Sequence, residues 1–126
     1  SSLSPMSPYG KRPTTRRDPM QGTLDLLVLR TLAGGRRHGY QIARAIKHSS
    51  NDVLQVEEGA LYPALHRMEG RGWIEASWGV SENNRRAKFY ELTPDGRAAF
   101  VQQAESWAEY VDAVGRVMER APEGTA

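Results

Sequence analysis

EGALYPALHRMEGRGWIEASWGVSENNRRAKFYELTPDGR, residues 58–97, changes its hydrophobic period twice. Leu61, Leu65 and Met68 recur at i, i+4 and i+7, which places them on one face of a helix over about 59–70. Pro63 is harmless if that helix starts near Gly59 to Tyr62, because the first four N–H groups of a helix have no intrahelical partner. Gly70-Arg71-Gly72 stops it. Residues 73–78 then have strand character and 79–84 make a polar turn. Residues 85–93 make a second strand, with Tyr90 and Leu92 on one face and Phe89 on the other. Thr93 is a natural N-cap and Pro94 a natural first residue for a closing helix.

Upstream, a helix is predicted over about 20–33. Leu24, Leu27, Val28, Thr31 and Leu32 form one stripe, and Leu26, Leu29 and Ala33 a second. A helix apolar on two sides must be covered on two sides. One side meets the core of its own domain, and a second copy of the chain is the economical cover for the other, through Leu26 and Leu29. Gly34-Gly35 ends it. A shorter helix follows at about 39–48, with Ile42, Ala43 and Ile46 inward and Gln41, Arg44 and Lys47 outward. Downstream, the closing helix runs to about 120. Phe100, Ala104, Trp107, Val111, Val114 and Met118 are spaced 4, 3, 4, 3 and 4, the seam of a coiled coil. The helix outruns what a small core can cover, so this seam is expected to pair with a second subunit.

Three helices, a hairpin and a closing helix is the order of a winged helix-turn-helix, mainly α with a small β-hairpin. The chain divides into a Pro-rich basic arm (1–17), a winged helix-turn-helix domain (18–93), a dimerisation helix (94–120) and a tail (121–126). In such a scaffold the second helix of the turn enters the major groove of DNA and the hairpin lies beside the neighbouring phosphates. Gly59, Ala60, Tyr62, Pro63, His66 and Arg67 form the outward face of the presented helix. Tyr62 can donate to a phosphate, and Arg67 to guanine or a phosphate. His38 precedes a helix N-terminus suited to phosphate, beside Arg36 and Arg37. Arg85, Arg86 and Lys88 load the second strand with positive charge, as a phosphate-facing wing requires.

Charge agrees with this reading. The net charge is +2, but residues 1–48 carry +7 and residues 49–126 carry −5. A basic front half suits a polyanion, and an acidic back half avoids one. Cysteine is absent, which removes disulfides, thiol nucleophiles and Cys-ligated metals. His38, His48 and His66 are the only histidines, and no pair stands at i, i+4 as a zinc protease needs. No phosphate-cradling glycine loop or nucleophile elbow occurs. An enzyme is therefore not expected, and neither is a cofactor or a metal. No apolar run is long enough for a membrane span.

GTLDLLVLRTL (22–32), HGYQIARAI (38–46), EGALYPALHRME (58–69), RGWIEASWG (71–79) and RRAKFYELTPDGR (85–97) together resemble the PadR family of transcriptional regulators, in order and at the family's separations. The single helix after the hairpin resembles its smaller subgroup. The resemblance implies a cytoplasmic homodimeric repressor that binds double-stranded DNA at an inverted repeat and is released by a small molecule. It assigns DNA contacts to Tyr62 and Pro63, to His38 and Tyr40, and to Arg85, Arg86 and Lys88. Ala60 departs from the family's usual threonine or serine, which removes a hydroxyl from the reading face. Glu105-Ser106-Trp107 resembles a multidrug-binding member from lactic bacteria, in which one tryptophan from each subunit sandwiches flat aromatic drugs. That implies an aromatic effector site at Trp107, with Phe100 and Val111 beside it. Two other readings use the same scaffold: a metal-sensing winged helix, and a protein-interaction module without DNA.

Overall fold

Thr93 ties three elements together. Its hydroxyl accepts from the N–H of Gly96 at 3.0 Å, capping the helix that follows, and donates to the Gly72 carbonyl. Its own N–H donates to the Trp73 carbonyl at 3.0 Å. The expected cap and the Pro94 start are therefore present. The computed structural model describes residues 17–119, comprising α1 (Arg17–Ala33), β1 (Arg37–His38), α2 (Gly39–Ser49), α3 (Glu58–Gly70), β2 (Ile74–Val80), β3 (Arg86–Leu92) and α4 (Pro94–Glu119). The predicted arm lies outside the described residues except for Arg17, which opens α1, and the predicted tail lies wholly outside them.

The core confirms the stripes of α2 and α3. Ile42 and Ile46, with Leu61, Leu65 and Met68, close on Val28, Leu29 and Leu32 of α1 and on Ile74, Tyr90 and Leu92 of the sheet. Ala64, not predicted, is fully buried as well. Burying aliphatic side chains of this size stabilises by about 1.5–3 kcal/mol each.

Three expectations fail. Leu29, assigned to the contact between copies, is fully enclosed by its own domain. Phe100, assigned to the seam and the effector site, is half-buried against the same core. Its neighbours Gly96 and Ala99 are buried too, so the first turns of α4 belong to the domain rather than to a partner. Pro63 does not sit in the first turn: α3 begins at Glu58, so its ring falls on the second turn and brings no N–H to the Gly59 carbonyl. A Cβ at Gly59 would meet nothing within 4 Å, so the space around this carbonyl is open whether or not the residue is glycine.

The hairpin is part of a three-stranded antiparallel sheet, ordered β1-β3-β2. β1 pairs Arg37 with Tyr90 and His38 with Phe89. A two-residue strand has no period to read, which is why it escapes sequence analysis.

Candidate nucleic-acid interface

The register of β2 and β3 determines which way the wing faces. Ile74 pairs with Leu92, Ala76 with Tyr90, Trp78 with Lys88 and Val80 with Arg86. Directly opposed residues share a face, and so do alternate pairs. Ile74, Tyr90 and Leu92 point into the core, so Trp78, Val80, Arg86 and Lys88 continue the same face past its edge into solvent. Lys88 Nζ lies 3.9 Å from Glu69 Oε1 on α3, which fixes that face on the α3 side. Burial, reinforced by the nearby Glu69 and Tyr62, holds the Tyr90 hydroxyl above its usual pKa.

α3 presents Tyr62 and His66 to solvent on the flank nearer the wing, whereas Gly59, Ala60 and Pro63 are exposed over a cleft shared with Thr23, Leu24 and Leu27 of α1. Tyr62 is 45% exposed and its ring leans over the start of α2. A Cβ on Gly39 would stand 2.6 Å from the Tyr62 hydroxyl, so glycine at 39 lets the tyrosine lie there. Tyr40 is exposed, with the Arg44 guanidinium 5.5 Å from its ring centre. Arg85, Arg86 and Lys88 are all exposed, and the Arg86 guanidinium lies 4.5 Å above the Trp78 indole. The surface that emerges is a continuous strip of aromatic and cationic groups from α3 to the wing tip. Such groups bind a phosphate backbone and its sugars by charge and by stacking.

Arg67 and His38 do not join this strip. Arg67 turns inward, and its guanidinium donates to Asp25 Oδ1 of α1 at 2.7 Å. Asp25 is almost fully buried, so removing Arg67 would strand a carboxylate, at a cost of about 2–3 kcal/mol for a pair still partly open to solvent. Both residues are legible as charges, and a single acid in an apolar helix is also a signal for a buried partner. His38 is buried, 7% exposed. It is the N-cap of α2: its Nδ1 accepts from the Gln41 N–H at 3.3 Å, and the Gln41 side chain accepts from the His38 N–H at 3.1 Å. A helix N-terminus already capped in this way is not open to a phosphate. The neighbouring Arg36 stacks 4.2 Å above Phe89 and reaches Ser77, and Arg37 donates to the Thr31 carbonyl. Both arginines hold the outer sheet face and the end of α1.

The expected seam divides. Leu26 and Ala104 are half-buried, whereas Trp107, Val111, Val114 and Met118 are 43%, 45%, 41% and 76% exposed, with nothing among the described residues covering them. Tyr110 stands 5.9 Å from Trp107, centre to centre. Among the described residues no helix is long and apolar enough to cross a membrane, and no group of three His, Cys, Asp or Glu residues is arranged to hold a metal ion.

The sequence pattern of the transcriptional regulator PadR-like family matches residues 28–102, which span α2, α3, the wing and the start of α4. The chain belongs to the PadR-like family. An uncharacterised protein of Lysinibacillus sphaericus is 32% identical over 104 residues, which is 82% of this chain and 95% of that one. A solved transcriptional regulator of Clostridium thermocellum superposes with a TM-score of 0.71 at 28% identity, over 79% of this chain and 96% of that chain. A solved PadR family regulator of Clostridium difficile gives 0.64 at 25% identity, over 75% and 97%. This PadR-like protein is thus a winged-helix transcriptional regulator of a DNA-binding family whose members usually dimerise.

Proposed function

We propose that this PadR-like protein is a homodimeric repressor that reads an inverted repeat in double-stranded DNA, with α3 in the major groove and the wing on the flanking phosphates. The observation that carries this reading is the strip from Tyr62 and His66 through Lys88, Trp78 and Arg86, exposed along one side of the domain. The uncovered half of α4 supports the second subunit. Paired through Trp107, Val111, Val114 and Met118, two domains would hold their reading helices at a fixed separation, and an inverted repeat requires about 34 Å, one helical turn of duplex.

The test is electrostatic. Arg86→Ala with Lys88→Ala is expected to weaken binding to operator and unrelated DNA alike. The dependence of log affinity on log salt should flatten by about 0.9 for each phosphate the wing no longer neutralises. Filter binding across a salt series measures both, and an unchanged slope removes the wing from the interface.

Trp107 and Tyr110 favour a small-molecule effector. Two such pairs brought together where the subunits meet would make a flat aromatic slot. A ligand there acts only by binding the non-operator arrangement more tightly. At protein concentrations that keep the variant paired through Val111, Val114 and Met118, Trp107→Ala should abolish release from DNA by flat aromatic compounds while leaving operator affinity within about twofold, since the residue lies outside the DNA strip. Equal loss of both properties, in a mobility-shift titration with and without ligand, reduces Trp107 to packing.

A further inference from the structure

The wing turn, residues 81–85, carries one acid where DNA would favour none. Glu82 lies in the hairpin turn, between Val80 and Arg86, and its side chain folds back onto the start of α2. His38 Nε2 lies 3.1 Å from Glu82 Oε1, the Gln41 amide nitrogen 3.5 Å from the same oxygen, and an Arg44 nitrogen 3.8 Å from Oε2. The chemistry of His38 sets the direction of the first bond. Nδ1 accepts the Gln41 N–H, so it carries no proton; the ring proton sits on Nε2 and points at Glu82. One imidazole therefore does two things: it caps α2 with one nitrogen and holds the wing turn with the other. Phe89 packs edge-on against the ring at 5.2 Å and keeps it in that orientation.

The turn itself is tightly made. Ser81 accepts from Asn84 at 2.8 Å and donates to Arg85 at 2.7 Å, and Asn84 takes the left-handed conformation, φ 60°. Its attachment to the helices runs through Glu82, whose carboxyl is held below the ordinary range by its own backbone N–H, then by His38 and Arg44.

We propose that Glu82 is a positioning residue for DNA binding: through His38, Gln41 and Arg44 it ties the wing turn to α2 and so sets where Arg86 and Lys88 meet the phosphates. This rests on the repressor reading above, and it predicts an effect opposite in sign to simple electrostatics. Removing a negative charge from a DNA-facing hairpin should tighten binding if charge is all that Glu82 contributes. If Glu82 positions the wing, Glu82→Gln should weaken it in spite of the more favourable charge.

The experiment measures operator and non-specific affinity across a salt series for the full-length protein, Glu82→Gln, His38→Asn and the double variant. Asparagine at 38 remains a good N-cap but cannot reach the turn, so α2 keeps its cap while the tie is broken. The expected result is a roughly tenfold loss of operator affinity for either single variant, the size of one charge-assisted hydrogen bond. The salt slope should fall by about one unit as a wing cation disengages. The double variant should bind no worse than the singles, because the two residues act through one bond. Amide exchange at 81–85 should quicken in all three while the thermal midpoint moves little. Equal or tighter binding by Glu82→Gln at an unchanged slope overturns the proposal and leaves the repressor reading standing. Failure of the unmodified protein to bind any duplex overturns both.

Discussion

Gly96→Ala is expected to destabilise the domain by about 3 kcal/mol, at the severe end of what overpacking a filled site costs. A Cβ at this position would lie 2.8 Å from the Trp73 carbonyl carbon and closer still to its oxygen. Both are main-chain atoms at the head of β2, and the Trp73 oxygen already accepts from Thr93, so it cannot swing away without breaking that bond. A flexible side chain could move aside for an added methyl; this backbone cannot. Thermal or urea denaturation of the alanine variant measures the loss. A midpoint within experimental error of the unmodified protein would mean that α4 can slide along the sheet, and that the knot at Thr93 does not fix it. The same substitution at Gly115, where nothing lies within 4 Å, is the natural control and should be neutral or mildly stabilising in a helix.

Val111→Glu with Val114→Glu is expected to leave that domain folded and to abolish assembly. Both side chains are more than two-fifths exposed and outside the core, so the monomer loses little. In a paired seam each protomer would bury two unpartnered carboxylates next to their own copies, which association cannot tolerate. Operator affinity should fall on the order of a thousandfold, because a single reading head forfeits the effective concentration that its twin provides. Sedimentation of the variant and of the unmodified protein measures the state directly. A variant that still sediments as a pair, or still holds operator with unreduced affinity, moves the subunit interface elsewhere.

Much of the fold is written in the period of the hydrophobic residues. The stripes of α2 and α3, the hairpin, the Thr93 cap and the length of α4 all follow from spacing, because each is a local property of consecutive residues. What the sequence conceals are pairings between residues about 40 positions apart. Arg67 reads as a base-reading side chain by its place on α3, but Asp25 lies beneath it, and His38 reads as a phosphate ligand by its place before α2, but Glu82 lies across from it. In both cases a charged or polar residue is correctly placed on its helix, while its partner stands on another element that no local pattern names. Leu29 and Phe100 depart from expectation for the opposite reason. Apolar spacing shows that a face must be covered, and only the three-dimensional packing shows by what.

Thr93 joins the end of α3, the head of β2 and the base of α4 at a single point. Reading helix, wing and rod therefore turn together, as the hand turns with the forearm when the wrist is splinted. In the proposed dimer, a signal arriving at the far end of the rod would swing the reading helix and the base of the wing together, while the wing tip keeps its own tie through Glu82. Such a molecule would tolerate changes in individual bases of its target far better than the insertion of one base pair between the two halves.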